Sequence, residues 1–203
     1  MDIVPLATLW TEICSRPPVD GVRLVGIDGA GGSGKSTLAR RLAAIGGAPI
    51  IKVDDFVSWG DLETWWPRWE DEVLRPLSRG LAARHGVRDW AGDDLGSSVR
   101  GARTTPWAPV VLLEGVTCTR AAATERLAHR IWVQAPTERR LERSIARDGE
   151  SHRDLCLQWM DMENEFFARD GTRDRADLIV DGAPQVEHDR QTSVVTVRPR
   201  PTV

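Results

Sequence analysis

Short apolar runs recur along the chain and alternate with segments in which apolar residues follow a helical period. The runs that indicate buried strands lie at 22–28, 49–53, 109–115, 131–133 and 176–182. Helical segments follow at 36–45, 121–129, 137–148 and 153–170, and glycines supply stop signals at Gly46 and Gly171. Strands that alternate with helices in this way predict an α/β fold with a five-stranded parallel sheet.

The two ends of the chain carry weaker patterns. Apolar residues at helical spacing over residues 3–15 predict a packing helix before the first strand: Ile3, Leu6, Leu9, Trp10 and Ile13. Beyond residue 182 the chain is polar except for 194–197, a run that fits either an edge strand or partial disorder. We therefore expect a single domain over residues 1–182 and a C-terminal tail over residues 183–203.

A glycine-rich segment connects the first strand to the first helix of the sheet. It reads Gly29-Ala30-Gly31-Gly32-Ser33-Gly34-Lys35-Ser36 and matches the phosphate-binding pattern G-x-x-x-x-G-K-[ST] at every fixed position. Backbone N–H groups of such a loop surround phosphate oxygens, and the helix N-terminus adds partial positive charge. A chance glycine-rich turn is the alternative, but the flanking strand and helix favour a nucleotide site.

That motif assigns a role to each of its residues. We expect the phosphates of a nucleotide to contact Gly29, Gly31, Gly32, Ser33, Gly34, Lys35, Ser36 and Thr37. The Lys35 ammonium would reach the β- and γ-phosphates, and the Ser36 hydroxyl would hold Mg²⁺.

Carboxylates follow two of the other predicted strands. Asp54 and Asp55 come directly after the strand at 49–53, and Glu114 lies near the end of the strand at 109–115. Ligands of open α/β sheets bind outside the carboxyl ends of the strands, so these acids should face the phosphate loop. Glu114 and Asp54, with Ser36, are therefore candidates to orient Mg²⁺. The alternative for Glu114 is that it only caps the following segment.

Residues 58–108 form a long segment between the second and third predicted strands. Its turn-rich part predicts short β-hairpin pieces at 87–90 and 98–100, and such a segment often holds a second substrate. Trp66 or Trp59 fits an aromatic substrate pocket as well as it fits a packed core, whereas Trp69 has the spacing of a core residue.

Arginines cover one face of the helix predicted at 137–148. Arg139, Arg143 and Arg147 recur every four residues and so share that face. A solvated charged face, with Glu138 and Glu142 as local partners, is the alternative. Transfer of a phosphoryl group needs cations on its oxygens, and this favours a functional role for Arg143 and Arg147.

Composition narrows the class of protein. The chain has 203 residues, 41% hydrophobic content, a net charge of −3 and three scattered cysteines. These values imply no general attraction to nucleic acid or membranes and no disulfide framework, and we expect a cytoplasmic protein. Only two lysines occur, Lys35 and Lys52, and one of them lies in the phosphate loop. The Asn-Lys-x-Asp pattern by which GTPases recognise guanine is absent. A chain of this length also has no room for the second large domain of a helicase or a transporter. Among proteins with a phosphate loop, a small kinase is therefore expected.

The motifs in their order along the chain resemble the uridine kinase/phosphoribulokinase family, most closely its short uridine-kinase-like members. The segments that carry the resemblance are Gly26-Ile27-Asp28-Gly29, Gly34-Lys35-Ser36-Thr37, Val53-Asp54-Asp55-Phe56, Leu113-Glu114-Gly115, Arg140-Leu141, Arg143, Arg147-Asp148 and 176–182. The resemblance implies an α/β P-loop kinase fold with strand order 2-3-1-4-5, helices on both faces and a lid over about 137–153. It also implies ATP as the phosphoryl donor, with Mg²⁺.

The resemblance further implies roles for individual residues. Asp54 would be the base on the acceptor hydroxyl, with Asp55 as its rival, and Arg143 and Arg147 would lie in the lid. The segment Arg88-Asp89-Trp90 resembles the sugar-contacting segment of the family. We therefore expect the small-molecule acceptor to contact Asp55, Trp66, Asp89 and Trp90.

This sequence departs from the family pattern at the acceptor side. Val57 stands where a tyrosine is usual, Arg88 replaces an aromatic residue, and no histidine-bearing substrate segment is evident. A nucleoside is the expected acceptor, and another hydroxylated metabolite or an antibiotic is the alternative. A nucleotide-binding regulatory module is the alternative of a different class, although it would have no need for an acceptor base at Asp54. Whether the chain forms a homo-oligomer is left open.

Overall fold

The structure is a computed structural model that describes residues 1–197. Its strands are β1 (Asp2–Pro5), β2 (Arg23–Asp28), β3 (Ile50–Lys52), β4 (Ala83–Arg88), β5 (Val99–Thr105), β6 (Val110–Glu114), β7 (His129–Gln134), β8 (Leu178–Asp181) and β9 (Ser193–Thr196). Its α-helices are α1 (Leu6–Ser15), α2 (Lys35–Gly46), α3 (Trp66–Trp69), α4 (Arg75–Ser78), α5 (Thr137–Asp148) and α6 (Arg153–Asp170). The π-helical turn Glu70–Leu74 joins α3 to α4, and short 3-10 turns lie at Val53–Asp55, Ala121–Arg126, Glu150–His152 and Thr172–Arg175.

The central sheet has the strand order β1-β9-β8-β7-β2-β6-β3. The five strands from β8 to β3 are parallel, and their order is the predicted 2-3-1-4-5. The predicted total of five strands is wrong, because β9 pairs antiparallel with both β8 and β1 and extends the sheet to seven. The α/β P-loop kinase fold expected from the sequence is therefore confirmed, with two additional strands at one side.

Both additional strands correct expectations for the chain ends. Ile3 lies in β1 and not in a helix, because α1 begins only after Pro5. The run at 194–197 is not an edge strand: β9 lies between β8 and β1, and all four of its residues are buried. Part of the predicted tail thus belongs to the sheet, while its last six residues lie outside the described range.

Helices cover both faces of the sheet, as the strand pattern requires. Alternate residues of a strand point to opposite faces, so Val25 and Ile27 of β2 pack with α1 and α2, whereas Leu24 packs on the other side. That other side is filled from the 58–108 segment, where Trp65 and Trp69 are almost fully buried. The segment also contains the predicted hairpin, in which β4 and β5 pair antiparallel. Among residues 1–197, no helix combines the length and apolar character needed to cross a lipid bilayer.

A buried histidine at the start of β7 makes the fold sensitive to acid. The side chain of His129 is 1% exposed, and burial lowers its pKa to about 4. The carboxylates of Asp177, 3.8 Å from the ring, and Glu12 oppose this shift, while Arg16 and Arg130 add to it. The unfolded chain therefore takes up a proton near pH 6.5, whereas the folded protein does so only near pH 4.

We expect the free energy of unfolding to fall as the pH drops from 7 to 4. His129 should contribute roughly 3 kcal/mol of this loss, because folding lowers its pKa from 6.5 to about 4 and each tenfold change in proton affinity corresponds to about 1.4 kcal/mol. Urea denaturation of the wild type and of His129→Phe at both pH values measures this contribution. The variant should lose less stability on acidification, whereas His188→Phe, at a partly exposed position, should behave like the wild type. Equal losses in the wild type and His129→Phe would contradict the assignment.

Candidate active site

The phosphate loop has a backbone conformation that depends on glycine. Gly32 and Gly34 have φ angles of 73° and 109°, which side-chain-bearing residues rarely adopt. A Cβ on Gly32 would also lie 2.4 Å from the carbonyl oxygen of Arg140 in α5. The loop leads directly into α2, which begins at Lys35, so the positive end of the helix dipole lies at the loop. The sequence motif and the backbone conformation therefore both indicate a site that binds an anion.

A cavity of about 530 Å³ lies between the phosphate loop, the ends of β3 and β6, and helices α5 and α6. Most of the residues predicted to bind nucleotide, metal or acceptor line it: Gly31, Gly32, Gly34, Lys35, Ser36, Thr37, Asp54, Trp90, Glu114, Arg143 and Arg147. Gly29 and Ser33 are not among the lining residues. These two loop residues face the protein interior instead: Ser33 is fully buried, and a Cβ on Gly29 would meet the Val133 carbonyl oxygen.

The Lys35 side chain is held inside the loop. Its ammonium donates a hydrogen bond to the Ala30 carbonyl oxygen at 3.0 Å, and the residue is 7% exposed. Asp28, at the end of β2, fixes the opposite end of the loop by accepting a hydrogen bond from Gly29 N–H. Its carboxylate also accepts from the backbone N–H groups of Thr117 and Thr119, so it ties the loop to the chain beyond β6. The sequence motif alone gave no role to Asp28.

Ser36 and Glu114 form the candidate metal site. The Ser36 hydroxyl donates to Glu114 Oε1 at 3.0 Å, and Glu114 is 2% exposed. Burial, followed by the nearby Asp54 carboxylate, raises the pKa of Glu114. Its Oε2 atom is buried and has no hydrogen-bond partner within residues 1–197. An unpaired carboxylate oxygen beside a hydroxyl is what a divalent cation would satisfy.

The number of protein ligands at this site is compatible with Mg²⁺. Nowhere in the described chain do three or more His, Cys, Asp or Glu side chains form a metal-binding group. Mg²⁺ is typically held by one or two carboxylates together with waters and substrate phosphates, and so does not need an all-protein cage.

The two adjacent aspartates after β3 point to different surroundings. Asp54 lines the cavity, and Trp90 Nε1 donates to its backbone carbonyl oxygen at 2.9 Å. The Asp55 carboxylate instead lies 3.0 Å from His85 Nε2 and 2.7 Å from Arg103 Nη1. The expected acceptor contact of Asp55 has no support in this geometry, because the 3-10 turn directs consecutive side chains apart and Asp55 is already paired.

Aromatic rings form another part of the cavity wall. Trp59 packs edge-to-face against Trp90 and Trp159, with ring centroids 6.1 and 5.9 Å apart. His152 stacks on Trp59, and its Nε2 lies 2.6 Å from the Asp94 carboxylate, which raises the pKa of the imidazole. Of the two tryptophans left open by the sequence, Trp59 is therefore the one that lines the cavity.

Two of the expected acceptor contacts lie elsewhere. Trp66 packs against Trp65, with ring centroids 5.7 Å apart, and is not part of the cavity lining. The Asp89 carboxylate accepts the Gly92 N–H at 3.1 Å, within its own loop. Both side chains serve local packing or turn formation in this structure, which the sequence pattern did not distinguish from substrate contact.

The arginines of α5 divide between three environments. Arg143 donates to the carbonyl oxygens of Gly32 and Gly182, both at 3.0 Å, and Arg147 lines the cavity while paired with Asp148. Arg139 is exposed and pairs with Glu142, in agreement with the solvated alternative for that residue only. Arg140 is 6% exposed and faces α6.

Sequence reasoning missed a further set of cavity residues. They are Val57, Asp94, Val116, Ser144, Asp148, His152, Cys156, Trp159 and Met160. The spacing of Leu155, Trp159, Met162 and Phe166 predicts a core stripe on α6. Of these four residues only Phe166 is buried, together with Cys156, Met160 and Glu163 of the same helix. Trp159 is half-buried and lines the cavity. The sequence offers no motif for Asp94 or His152.

Arg143 should contribute to the transition state, because its guanidinium already donates a hydrogen bond to the Gly32 carbonyl oxygen in the phosphate loop. We expect Arg143→Ala to lower turnover roughly 10²-fold, the usual cost of removing one charge-stabilising donor. Affinity for a non-hydrolysable ATP analogue should change less. Arg139→Ala is the matched control, since it removes an exposed arginine one helical turn away. Equal activity of the two variants would assign Arg143 to the solvated face.

Comparisons with known proteins agree with this architecture. A family model described as an AAA domain matches residues 25–183. A possible uridine kinase from Bacillus stearothermophilus superimposes with a TM-score of 0.62 and 19% identity, over 86% of this chain and 96% of that one. A candidate fructose transport system kinase from Silicibacter sp. TM1040 gives a TM-score of 0.61 and 19% identity, over 82% and 95% of the two chains. No curated protein matches the sequence significantly.

Identities this low show a common fold and leave the substrate undetermined. The family match is independent of them and spans well over half of the chain, including the phosphate loop, α5 and β8. The protein therefore belongs to the AAA domain family, and its fold is that of the P-loop kinases.

Proposed function

We propose that this protein is an ATP-dependent kinase that transfers the γ-phosphate of ATP to a hydroxyl group of a small molecule, with a nucleoside as the favoured acceptor. The observation that carries the proposal is the arrangement of charges around one cavity. The phosphate loop with Lys35, the Ser36–Glu114 pair, the Asp54 carboxylate and the lid arginines all line it. A nucleotide-binding module without transfer would need the first two but not Asp54.

The donor side of the cavity would hold the phosphates of ATP. Backbone N–H groups of the loop and the N-terminus of α2 would bind phosphate oxygens, while Lys35 would exchange its bond to Ala30 for one to the β- or γ-phosphate. Ser36 and Glu114 would hold Mg²⁺, which when bound neutralises charge on the phosphates. Arg143, already at the loop, would place a second cation beside the transferring group.

The acceptor hydroxyl would react from the side of Asp54. Its oxygen forms the new bond to the γ-phosphorus while the bond from that phosphorus to the ADP oxygen breaks, and its proton passes to the Asp54 carboxylate. Trp90 fixes the Asp54 backbone through the 2.9 Å hydrogen bond to its carbonyl oxygen. This contact would limit movement of the base when the acceptor enters.

The acceptor preference follows from the aromatic wall. Trp59, Trp90 and Trp159 present ring faces and edges that suit a planar heterocycle, and such stacking contacts contribute about 0.5–1.5 kcal/mol beyond buried area. A nucleoside combines a planar base with sugar hydroxyls. The two structural neighbours, described as kinases connected with uridine and with fructose, support a hydroxylated acceptor in general.

A coupled assay of ADP release across nucleosides, sugars, vitamins and aminoglycosides tests this proposal. We expect nucleosides to give the highest kcat/KM, well above the ADP released by ATP hydrolysis without an acceptor. A sugar or aminoglycoside as the best acceptor would retain the kinase and replace the nucleoside. If no compound stimulates ADP release although ATP binds, the regulatory module becomes the better explanation.

A further inference from the structure

A buried carboxylate outside the proposed catalytic set lies directly behind the phosphate loop. Glu163 in α6 is 0% exposed, and its Oε1 atom accepts the Gly31 N–H at 2.7 Å. The same oxygen accepts the Trp159 indole N–H at 2.6 Å. One carboxylate oxygen thus joins a backbone group of the loop to a ring in the aromatic wall of the cavity.

The lid helix contributes the third contact. The Arg140 guanidinium lies 3.6 Å from Glu163 Oε2, and both residues are almost completely buried. Arg140 also packs its backbone against Gly32, where no Cβ would fit. Helices α5 and α6 therefore contact consecutive residues of the loop: Glu163 of α6 contacts Gly31, and Arg140 of α5 contacts Gly32.

Burial of a carboxylate costs free energy unless hydrogen bonds and opposite charges offset its lost hydration. Burial raises the pKa of Glu163, while Lys35, the Gly31 N–H and Arg140 act in the opposite direction. A well-packed apolar residue is often as stabilising as a buried ion pair, so stability alone does not account for a carboxylate here. Its contacts lead to both halves of the cavity, and this indicates a role in connecting them.

We propose that Glu163 is a positioning residue that couples the aromatic acceptor wall to the phosphate loop through the path from Trp159 Nε1–H to Glu163 Oε1 to Gly31 N–H. The coupling rests on the proposed kinase function. When phosphates occupy the loop, Gly31 N–H adjusts its position, and the shared oxygen transmits the adjustment to the Trp159 ring. By the reciprocity of binding equilibria, an acceptor that contacts Trp159 changes the affinity of the loop for nucleotide by the same factor.

Nuclear magnetic resonance of ¹⁵N-labelled tryptophan tests the path without knowledge of the acceptor. Trp159→Phe identifies the Trp159 indole signal by its disappearance. We expect the magnesium complex of the non-hydrolysable analogue AMP-PNP to shift this signal in the wild type. Glu163→Leu should abolish the Trp159 response, whereas the signals of Trp59 and Trp90 should still report the bound nucleotide.

The conservative variant separates coupling from simple structural support. Glu163→Gln keeps an oxygen acceptor but loses the charge opposite Arg140, so it should keep most of the Trp159 response. We expect the AMP-PNP dissociation constant to rise roughly tenfold, which is about 1.4 kcal/mol, in Glu163→Leu and less than about threefold in Glu163→Gln. Trp159→Phe, which leaves Glu163 and its loop contact in place, gives a second measure if Glu163→Leu folds poorly. It should weaken AMP-PNP binding less than tenfold but detectably.

Glu165→Leu is the matched control, because Glu165 lies two residues away on α6 with an exposed side chain. It should leave both the dissociation constant and the Trp159 response unchanged. A Trp159 response that persists in Glu163→Leu, or identical behaviour of Glu163→Gln and Glu163→Leu, would overturn the coupling while leaving the kinase proposal intact. Failure of the wild type to bind AMP-PNP would overturn the kinase proposal, and the coupling with it.

Discussion

Lys35→Ala is expected to abolish phosphoryl transfer, with turnover reduced by more than about 10³-fold. The ammonium lies inside the phosphate loop, where it donates to Ala30 and lines the cavity beside Ser36. Alanine can provide neither the charge nor the hydrogen bond to the β- and γ-phosphate oxygens. ATP affinity should fall as well, because that charge also acts in the ground state. Initial rates with the acceptor found in the ADP-release assay, and calorimetric titration with AMP-PNP, measure the two effects.

Lys52→Ala provides the matched control. These are the only two lysines of the chain, and Lys52 is exposed at the end of β3. Lys52 is the ladder partner of Glu114 but does not line the cavity, so its removal should lower turnover by less than about tenfold, far less than Lys35→Ala. A lysine-directed ATP analogue should likewise label Lys35 in preference to Lys52, and excess ATP should protect Lys35. Full activity of Lys35→Ala in a folded protein would refute a nucleotide at residues 29–36.

Much of this site could be predicted because each of its main parts has a local signature. The phosphate loop is specified by fixed residues between a strand and a helix, and the apolar run before it predicts the buried strand from which it leads. Glu114 follows from the same logic, as an acid at the end of a buried strand. For these residues, sequence neighbours determine the surroundings, and the structure places them together as expected.

The remaining parts depend on contacts between distant segments. Asp54 and Asp55 are adjacent carboxylates in sequence, and the structure separates them through the contacts of Asp55 with His85 and Arg103, 30 and 48 residues away. Trp159 has the spacing of a core stripe, yet its indole N–H donates to the buried Glu163 and its side chain lines the cavity. Strand β9 was missed as an inner strand because its partner β1 lies at the opposite end of the chain.

Asp54→Asn is expected to reduce turnover by roughly 10²–10⁴-fold, the usual contribution of a general base. Asparagine has nearly the same shape but cannot take the proton of the acceptor hydroxyl at neutral pH. Asp54 lines the cavity and has its proposed role on the acceptor side, so its loss should affect AMP-PNP affinity only slightly. The comparison of kcat with the AMP-PNP dissociation constant therefore separates a base from a residue that only binds nucleotide.

Asp55→Asn should behave differently, although the two substitutions are chemically identical and adjacent. Asp55 accepts from Arg103 and pairs with His85, which is fully buried, so its neutralisation should lower the melting temperature. At a temperature where the variant stays folded, turnover should remain within about tenfold of the wild type, since its carboxylate does not line the cavity. If Asp55→Asn proved inactive while Asp54→Asn turned over normally, Asp55 would be the base. The turn after β3 would then have to rotate on substrate binding, breaking the contacts to Arg103 and His85.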